Sequence, residues 1–165
     1  ASSIGLCYAI LTNVLISSES RDMLLLTSAE LFPELQDGSN TLEVSPIVFY
    51  SVMLLKTVKF EPSREWIAKF LFHLTRLSLN DGTKSTKRDA VMEAKQLARQ
   101  VRFANGAASF LQILKETTNA QPMLQYYVAA TVANCASLSL EFRVSFVNVR
   151  LAGEDEQRKH SRSAS

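Results

Sequence analysis

Apolar residues in this chain recur three and four positions apart along most of its length, and strict alternation is confined to short stretches. The pattern predicts helices throughout. A first helix is expected from Ile4 to Ile16, followed by a polar break at Ser17, Ser18, Glu19 and Ser20. Ser20 is placed to cap a second helix that begins near Arg21 and carries Met23, Leu24, Leu25 and Leu26. Pro33 interrupts it, the helical piece ends by Gln36, and Asp37, Gly38, Ser39 and Asn40 form a loop. Ser45-Pro46 is a cap with proline at the first helical position, and the helix it opens is expected to bury Ile47, Phe49, Tyr50, Met53, Leu54 and Val58.

The second half is punctuated more sharply. Glu61-Pro62-Ser63 marks a break before a helix over Ser63 to Leu79, whose apolar stripe is Trp66, Ile67, Phe70, Leu71, Leu74 and Leu77. Asn80 to Thr86 is a loop centred on Asp81-Gly82. Lys87 to Phe103 is the most charged helix, with Val91, Ala94, Leu97, Ala98 and Val101 as its buried edge; Asn105-Gly106 ends it in a left-handed cap. Ala107 to Lys115 forms a short helix through Phe110, Leu111, Ile113 and Leu114. Gln121-Pro122 starts a long alanine-rich helix, and a last helix is expected over Leu140 to Leu151, where Val144, Phe146 and Val149 also fit a strand. These elements form one helical domain over residues 1–152. Residues 153–165, GEDEQRKHSRSAS, offer almost nothing apolar to offset ordering entropy and are expected to be disordered.

Composition narrows the class. Five glycines and four prolines are few for an all-β chain, so the fold class is all-α. With 47% hydrophobic and 21% charged residues the balance is that of an ordinary globular domain. A net charge of +2 is too mild to imply nucleic acid by itself. No apolar run approaches the ~18–20 residues of a membrane span, so no membrane partner is expected. Cys7 and Cys135 sit far apart in apolar helical contexts and read as buried free thiols in a reducing compartment, cytoplasmic or nuclear. The chain opens on an apolar helix without a methionine, which reads as a segment of something longer, with Leu6 or Ile10 left exposed.

Two segments echo each other. LCYAILTNVLISSESR (Leu6 to Arg21) and QPMLQYYVAATVANCASLSLEFR (Gln121 to Arg143) each place an alanine four residues before an asparagine, Ala9 before Asn13 and Ala130 before Asn134. In both, an arginine follows, Arg21 and Arg143. Ala129, Ala130 and Ala133 lie among larger apolar residues, so the second helix is expected to approach two neighbours closely, with Ala130 buried at a helix contact. Stepping from Asn13 to Asn134 lands on Lys56 and Arg99, 43, 43 and 35 residues apart. A period near 40 belongs to helical solenoids of the armadillo or HEAT kind. YYVAATVANCAS and YAILTNVLISSESR resemble the final helix of an armadillo repeat, and NGAASFL, Asn105 to Leu111, resembles its glycine turn and second helix. The resemblance covers roughly Gly5 to Leu151, closely in the first and last units; in the middle units Lys56 and Arg99 stand where the asparagine would be. It implies a right-handed armadillo-like solenoid of about four degenerate repeats. It also implies that Asn13 and Asn134 line a concave face and grip the main chain of an extended peptide. An amide can donate and accept at once. Lys56 and Arg99 at the matching places would favour an acidic peptide.

Catalytic constellations are missing. His73 between Phe72 and Leu74 reads as a packed or edge histidine, and His160 is in the tail. Two isolated histidines and two distant cysteines make no metal site or nucleophile–base pair, and the glycines form no phosphate loop. Glu30/Glu34 and Glu61/Glu65 fall at helix ends beside Pro33 and Pro62, where acids serve the helix dipole. Phe49, Tyr50, Trp66, Phe70 and Phe72 read as core between the middle helix pairs, with an exposed aromatic patch for a partner as the alternative. No cofactor is expected, and the function expected is a non-enzymatic protein-interaction scaffold. The rival is a nucleic-acid-associated domain using Arg88, Lys95, Arg99 and Arg102, which share one helix face. Ser161, after Arg158 and Lys159, fits a basophilic phosphorylation pattern.

Overall fold

A computed structural model of the chain describes residues 2–15, 20–25, 45–76, 87–117 and 121–150. Every regular element among them is helical. In chain order they are α1 (Ser3–Val14), α2 (20–25), α3 (Pro46–Thr57), α4 (Glu61–Thr75), α5 (Lys87–Phe103), α6 (Gly106–Glu116), α7 (Pro122–Leu138) and α8 (140–150). The expectations for Pro33, the Asp37–Asn40 loop, the Asn80–Thr86 loop and the 153–165 tail lie outside the described residues.

Prolines set three of the starts. Pro46, Pro62 and Pro122 each occupy the first turn of a helix, where the missing N–H costs nothing. α4 therefore begins two residues earlier than the Ser63 expected, with Glu61 in its first turn against the positive end of the dipole. α5 ends where Asn105 turns into the left-handed region at φ 61. The asparagine takes that conformation, not the neighbouring glycine, because an Asn side chain tolerates it. Gly106 is needed for space instead: a Cβ there would meet Val101 Cγ1 and the Val101 carbonyl oxygen at 2.6 Å. Ser139 caps α8, its hydroxyl accepting from the Phe142 N–H at 3.2 Å.

Packing follows a three-helix period. α4 lies between α1 and α7 and packs extensively on both. All three run the same way. Ser63 Oγ meets Ser2 Oγ at 3.0 Å at one end of the α1–α4 pair, and the Tyr8 and Phe70 rings stand edge to face at 5.3 Å further along. In the α4–α7 pair Gln121 donates to Glu61 at the start, and Asn134 reaches Thr75 near the end. The same step recurs beside them. α3 packs on α6. Arg21 of α2 is buried and bonds Glu93 of α5 at 3.1 Å. Glu141 of α8 lies in the field of Arg99 and Arg102 of α5. Each helix thus meets the one three elements on. α4 begins 58 residues after α1, and α7 begins 61 after α4. The 43-residue step inferred from Asn13, Lys56 and Arg99 is not the spacing of the stacked helices.

The core runs through all of this. Ile67, Phe70, Leu71 and Leu74 of α4 are fully buried, as are Val48, Val52 and Leu55 of α3, Val101 of α5, Phe110 and Ile113 of α6, Val128 of α7 and Phe142 of α8. Each such side chain contributes about 1.5–3 kcal/mol relative to exposure. Hydroxyls at the helix contacts are satisfied within their own helix: Thr12 bonds the Tyr8 carbonyl, Thr75 that of Leu71 and Thr131 that of Tyr127, at 2.7–2.8 Å. Arg64 joins units, donating to the Leu55 carbonyl at 3.2 Å and approaching Glu116 at 3.9 Å.

Several burial expectations are corrected. α3 turns Val48, Val52 and Leu55 inward and leaves Phe49 and Met53 exposed, because both of its faces are apolar and the pattern could not choose between them. Of the five aromatics assigned to the core only Phe70 is buried. Ala129 and Ala133 are exposed and Ala130 is half-buried, so the three alanines expected at a close helix contact lie off the inward face of α7. Its inward face is Leu124, Val128, Thr131 and Cys135. Cys7 is exposed, since α1 buries only Gly5, Tyr8 and Thr12.

Candidate functional site

The four positions expected to share one face lie on four different helices. Asn13 is exposed on α1, Lys56 on α3 and Arg99 on α5, while Asn134 is half-buried on α7. Only Asn13 and Asn134 belong to the parallel set α1–α4–α7, and α4 separates them. Asn134 is turned toward α4. Its amide nitrogen lies 3.5 Å from the Phe72 carbonyl oxygen and 3.4 Å from Thr75 Oγ1, long contacts that tie the two helices.

The surface along α4 and α7 gathers more chemistry. Glu61, Glu65, Lys69, His73 and Arg76 are spaced four, four, four and three residues apart, so they form one ridge on α4. The ridge is charge-segregated, acids at its start and cations at its end. Glu61, Glu65 and Arg76 are exposed; Lys69 and His73 are half-buried. Lys69 Nζ sits 4.7 Å from the centre of the Trp66 ring. Phe72 lies 5.0 Å from His73 on its own helix and 6.2 and 5.8 Å from Tyr126 and Tyr127 across the interface, centre to centre. Tyr126 and Tyr127 stand edge to face at 5.3 Å, and Tyr126 is 56% exposed. Ala130, Ala133 and Ser137 continue the Tyr126 side of α7 at helical spacing, so past the tyrosine the helix backbone is open to close approach.

The electrostatics match this placement. Burial lowers the His73 pKa, and Lys69 and Arg76 lower it further. The imidazole is therefore neutral at pH 7 and can both donate and accept. The Tyr127 phenol is raised, first by burial, then by Glu65 and Tyr126. At the acidic end a cleft of about 230 Å³ opens between the two helix starts, lined by Glu61, Glu65, Trp66, Gln121, Met123 and Leu124. Gln121 Oε1 is buried there with no hydrogen-bond partner among the described residues.

The basic face of α5 is less concentrated. Lys95 and Arg99 are exposed, Arg102 is half-buried with its guanidinium 5.0 Å from the Phe103 ring, and the side chain of Arg88 lies outside what is described. Glu141 sits beside them, its pKa lowered by hydrogen bonds from its own backbone and from Ser139, then by Arg99 and Arg102. Cys135 is a neutral thiol, pushed up to about 12 by burial.

The α4 ridge went unread in the sequence, although its i, i+4 spacing is a local signal that could have shown it. The pairing that completes it, Phe72 with Tyr126 and Tyr127, joins residues more than 50 positions apart and leaves no local signal. Compared with protein-family models, with curated proteins and with solved structures, the chain matches none. Among the described residues no helix is long and apolar enough to cross a membrane.

Proposed function

We propose that the chain is an armadillo-like helical solenoid, with a three-helix unit, that acts as a non-enzymatic protein-interaction scaffold. Its partner is an extended acidic peptide lying along the α4–α7 surface. The observation that carries this is the single surface shared by the Lys69 and Arg76 cations, the neutral His73 imidazole, the Phe72, Tyr126 and Tyr127 rings, and the small residues of α7. Rings supply contact area at little conformational cost, cations select acidic side chains, and exposed alanines let a main chain approach. Parallel helices packed along their length hold these groups in place before the partner arrives, which lowers the ordering cost of binding.

The experiment is fluorescence anisotropy with labelled ten-residue peptide pools of fixed net charge. The acidic, aromatic-containing pool is expected to bind, with affinity falling at least tenfold in Phe72→Ala and in Arg76→Glu and little changed in Lys95→Glu. Equal binding of acidic and basic pools would remove the reading. Nucleic acid on the α5 face is the weaker alternative, because Glu141 offsets the field of Arg99 and Arg102. It requires the Lys95→Glu change to matter and the salt dependence to be steep.

A further inference from the structure

We propose that copies of this chain associate head to tail, the outer face of α1 in one copy seating against α7 and α8 of the next. Three observations lead there. First, α1 buries Gly5, Tyr8 and Thr12 against the rest of the molecule and turns Leu6, Ile10 and Val14 outward, 59%, 56% and 40% exposed. These three are spaced i, i+4, i+8, a continuous aliphatic stripe on the side away from α4. Second, α8 buries Phe142 and exposes Leu140, Val144 and Val147 on its opposite side, 64%, 50% and 51% exposed. The first and the last of the described helices therefore each carry an exposed aliphatic stripe. Third, α1 and α7, the outer members of the parallel set, contain no charged side chain, whereas α4 between them carries Glu61, Arg64, Glu65 and Lys69.

The occupant follows from the recurrence. The step from α1 to α4 is repeated from α4 to α7, and α5 also packs on α7. A second copy's α1, placed one further step along, lies beside α7 as α7 lies beside α4. It also covers α8 as α7 covers α5. A neutral aliphatic helix face then meets a neutral helix and an aliphatic stripe, with the exposed Glu141 and Arg143 at the edges of that stripe, where they can stay in water. The two surfaces differ, so the contact is heterologous and does not close on itself; it generates linear chains. Three aliphatic side chains on either side cover less than the ~800 Å² per partner of a stable complex. The association is accordingly weak and dependent on concentration. It shares the exposed side of α7 with the peptide-binding reading, but its other half, the Leu140, Val144 and Val147 stripe of α8, lies apart from that reading, so peptide binding by a monomer would leave that reading intact while this one fails.

Sedimentation equilibrium over a wide concentration range tests it. The weight-average mass should rise from 18.4 kDa past twice that value without a plateau. Leu6→Glu/Ile10→Glu should hold the chain monomeric, and so should Leu140→Glu/Val144→Glu. The mixture of the two variants should form a one-to-one dimer and nothing larger, since each retains one working end. All four positions are exposed, so folding should survive; unchanged helicity by circular dichroism checks this, and the corresponding glutamine variants repeat the test without added charge. A chain that is monomeric at every concentration overturns the proposal and leaves both stripes to a different partner. A dimer that stops at two and ignores the α8 changes also overturns it, because that is two α1 helices meeting face to face.

Discussion

A Cβ added at Gly5 would stand 2.9 Å from the hydroxyl oxygen of Ser63, so α1 and α4 meet there with no side chain between them. The Ser63 hydroxyl is the movable partner and would have to leave its 3.0 Å contact with Ser2. Gly5→Ala should therefore be nearly neutral, the gain in helix propensity of about 0.5–1 kcal/mol offsetting the lost contact. Gly5→Leu has no such escape and should cost about 1–3 kcal/mol by overpacking. Urea unfolding of both variants checks this. A Gly5→Leu chain as stable as the parent would mean that α1 does not pack on α4 as described.

Tyr8 and Ser51 share a buried hydrogen bond at 2.9 Å, and Ser51 also bonds the Ile47 carbonyl. Removing one partner is not equivalent to removing the other. Tyr8→Phe leaves Ser51 satisfied and should cost about 0.5–1.5 kcal/mol. Ser51→Ala strands a buried phenol and should cost about 1–3 kcal/mol. Paired thermal melts should place Ser51→Ala below Tyr8→Phe; the reverse order would contradict the bonding scheme.

Cys135 gives a pH dependence with a definite sign. Its thiol is raised from 9.0 to about 12 in the folded chain. Stability from keeping it neutral is fully present below pH 9 and is lost as the pH rises from 9 toward 12, because the unfolded thiol ionises first. Burial raises Tyr8 in the same direction, which adds to the loss in alkali. The denaturation midpoint should fall across that window, and less steeply in Cys135→Ala. In the native chain at pH 8 a thiol reagent should modify Cys7 and spare Cys135. Equal labelling rates, or identical alkaline slopes, would contradict the burial.

Element limits were legible wherever local chemistry marks them. Lys87–Phe103 was placed to the residue because Asn105 stops it, and Pro46 and Pro122 announce their helices. Faces were legible on α4 and α5, where charged residues occupy one side. They were not legible on α3, apolar all round from Ile47 to Leu55, or on α7, where alanines fit either side of a helix. The pairing of the helices was not legible for a related reason. Recurring polar residues such as Asn13 and Lys56 are spaced in sequence without touching, whereas the stacking is set by contacts such as Gly5 with Ser63 and Thr75 with Asn134. Such contacts join residues about 60 apart and leave no periodic trace.

Amide chemical-shift mapping of the chain, titrated with the acidic, aromatic-containing peptide pool, tests the central claim most directly. Shifts should concentrate on residues 65–76 of α4 and 126–137 of α7, with the His73 ring among the most affected. Residues 95–103 of α5 should stay near their unbound positions. Shifts confined to α5, or spread evenly over the molecule, would contradict the account.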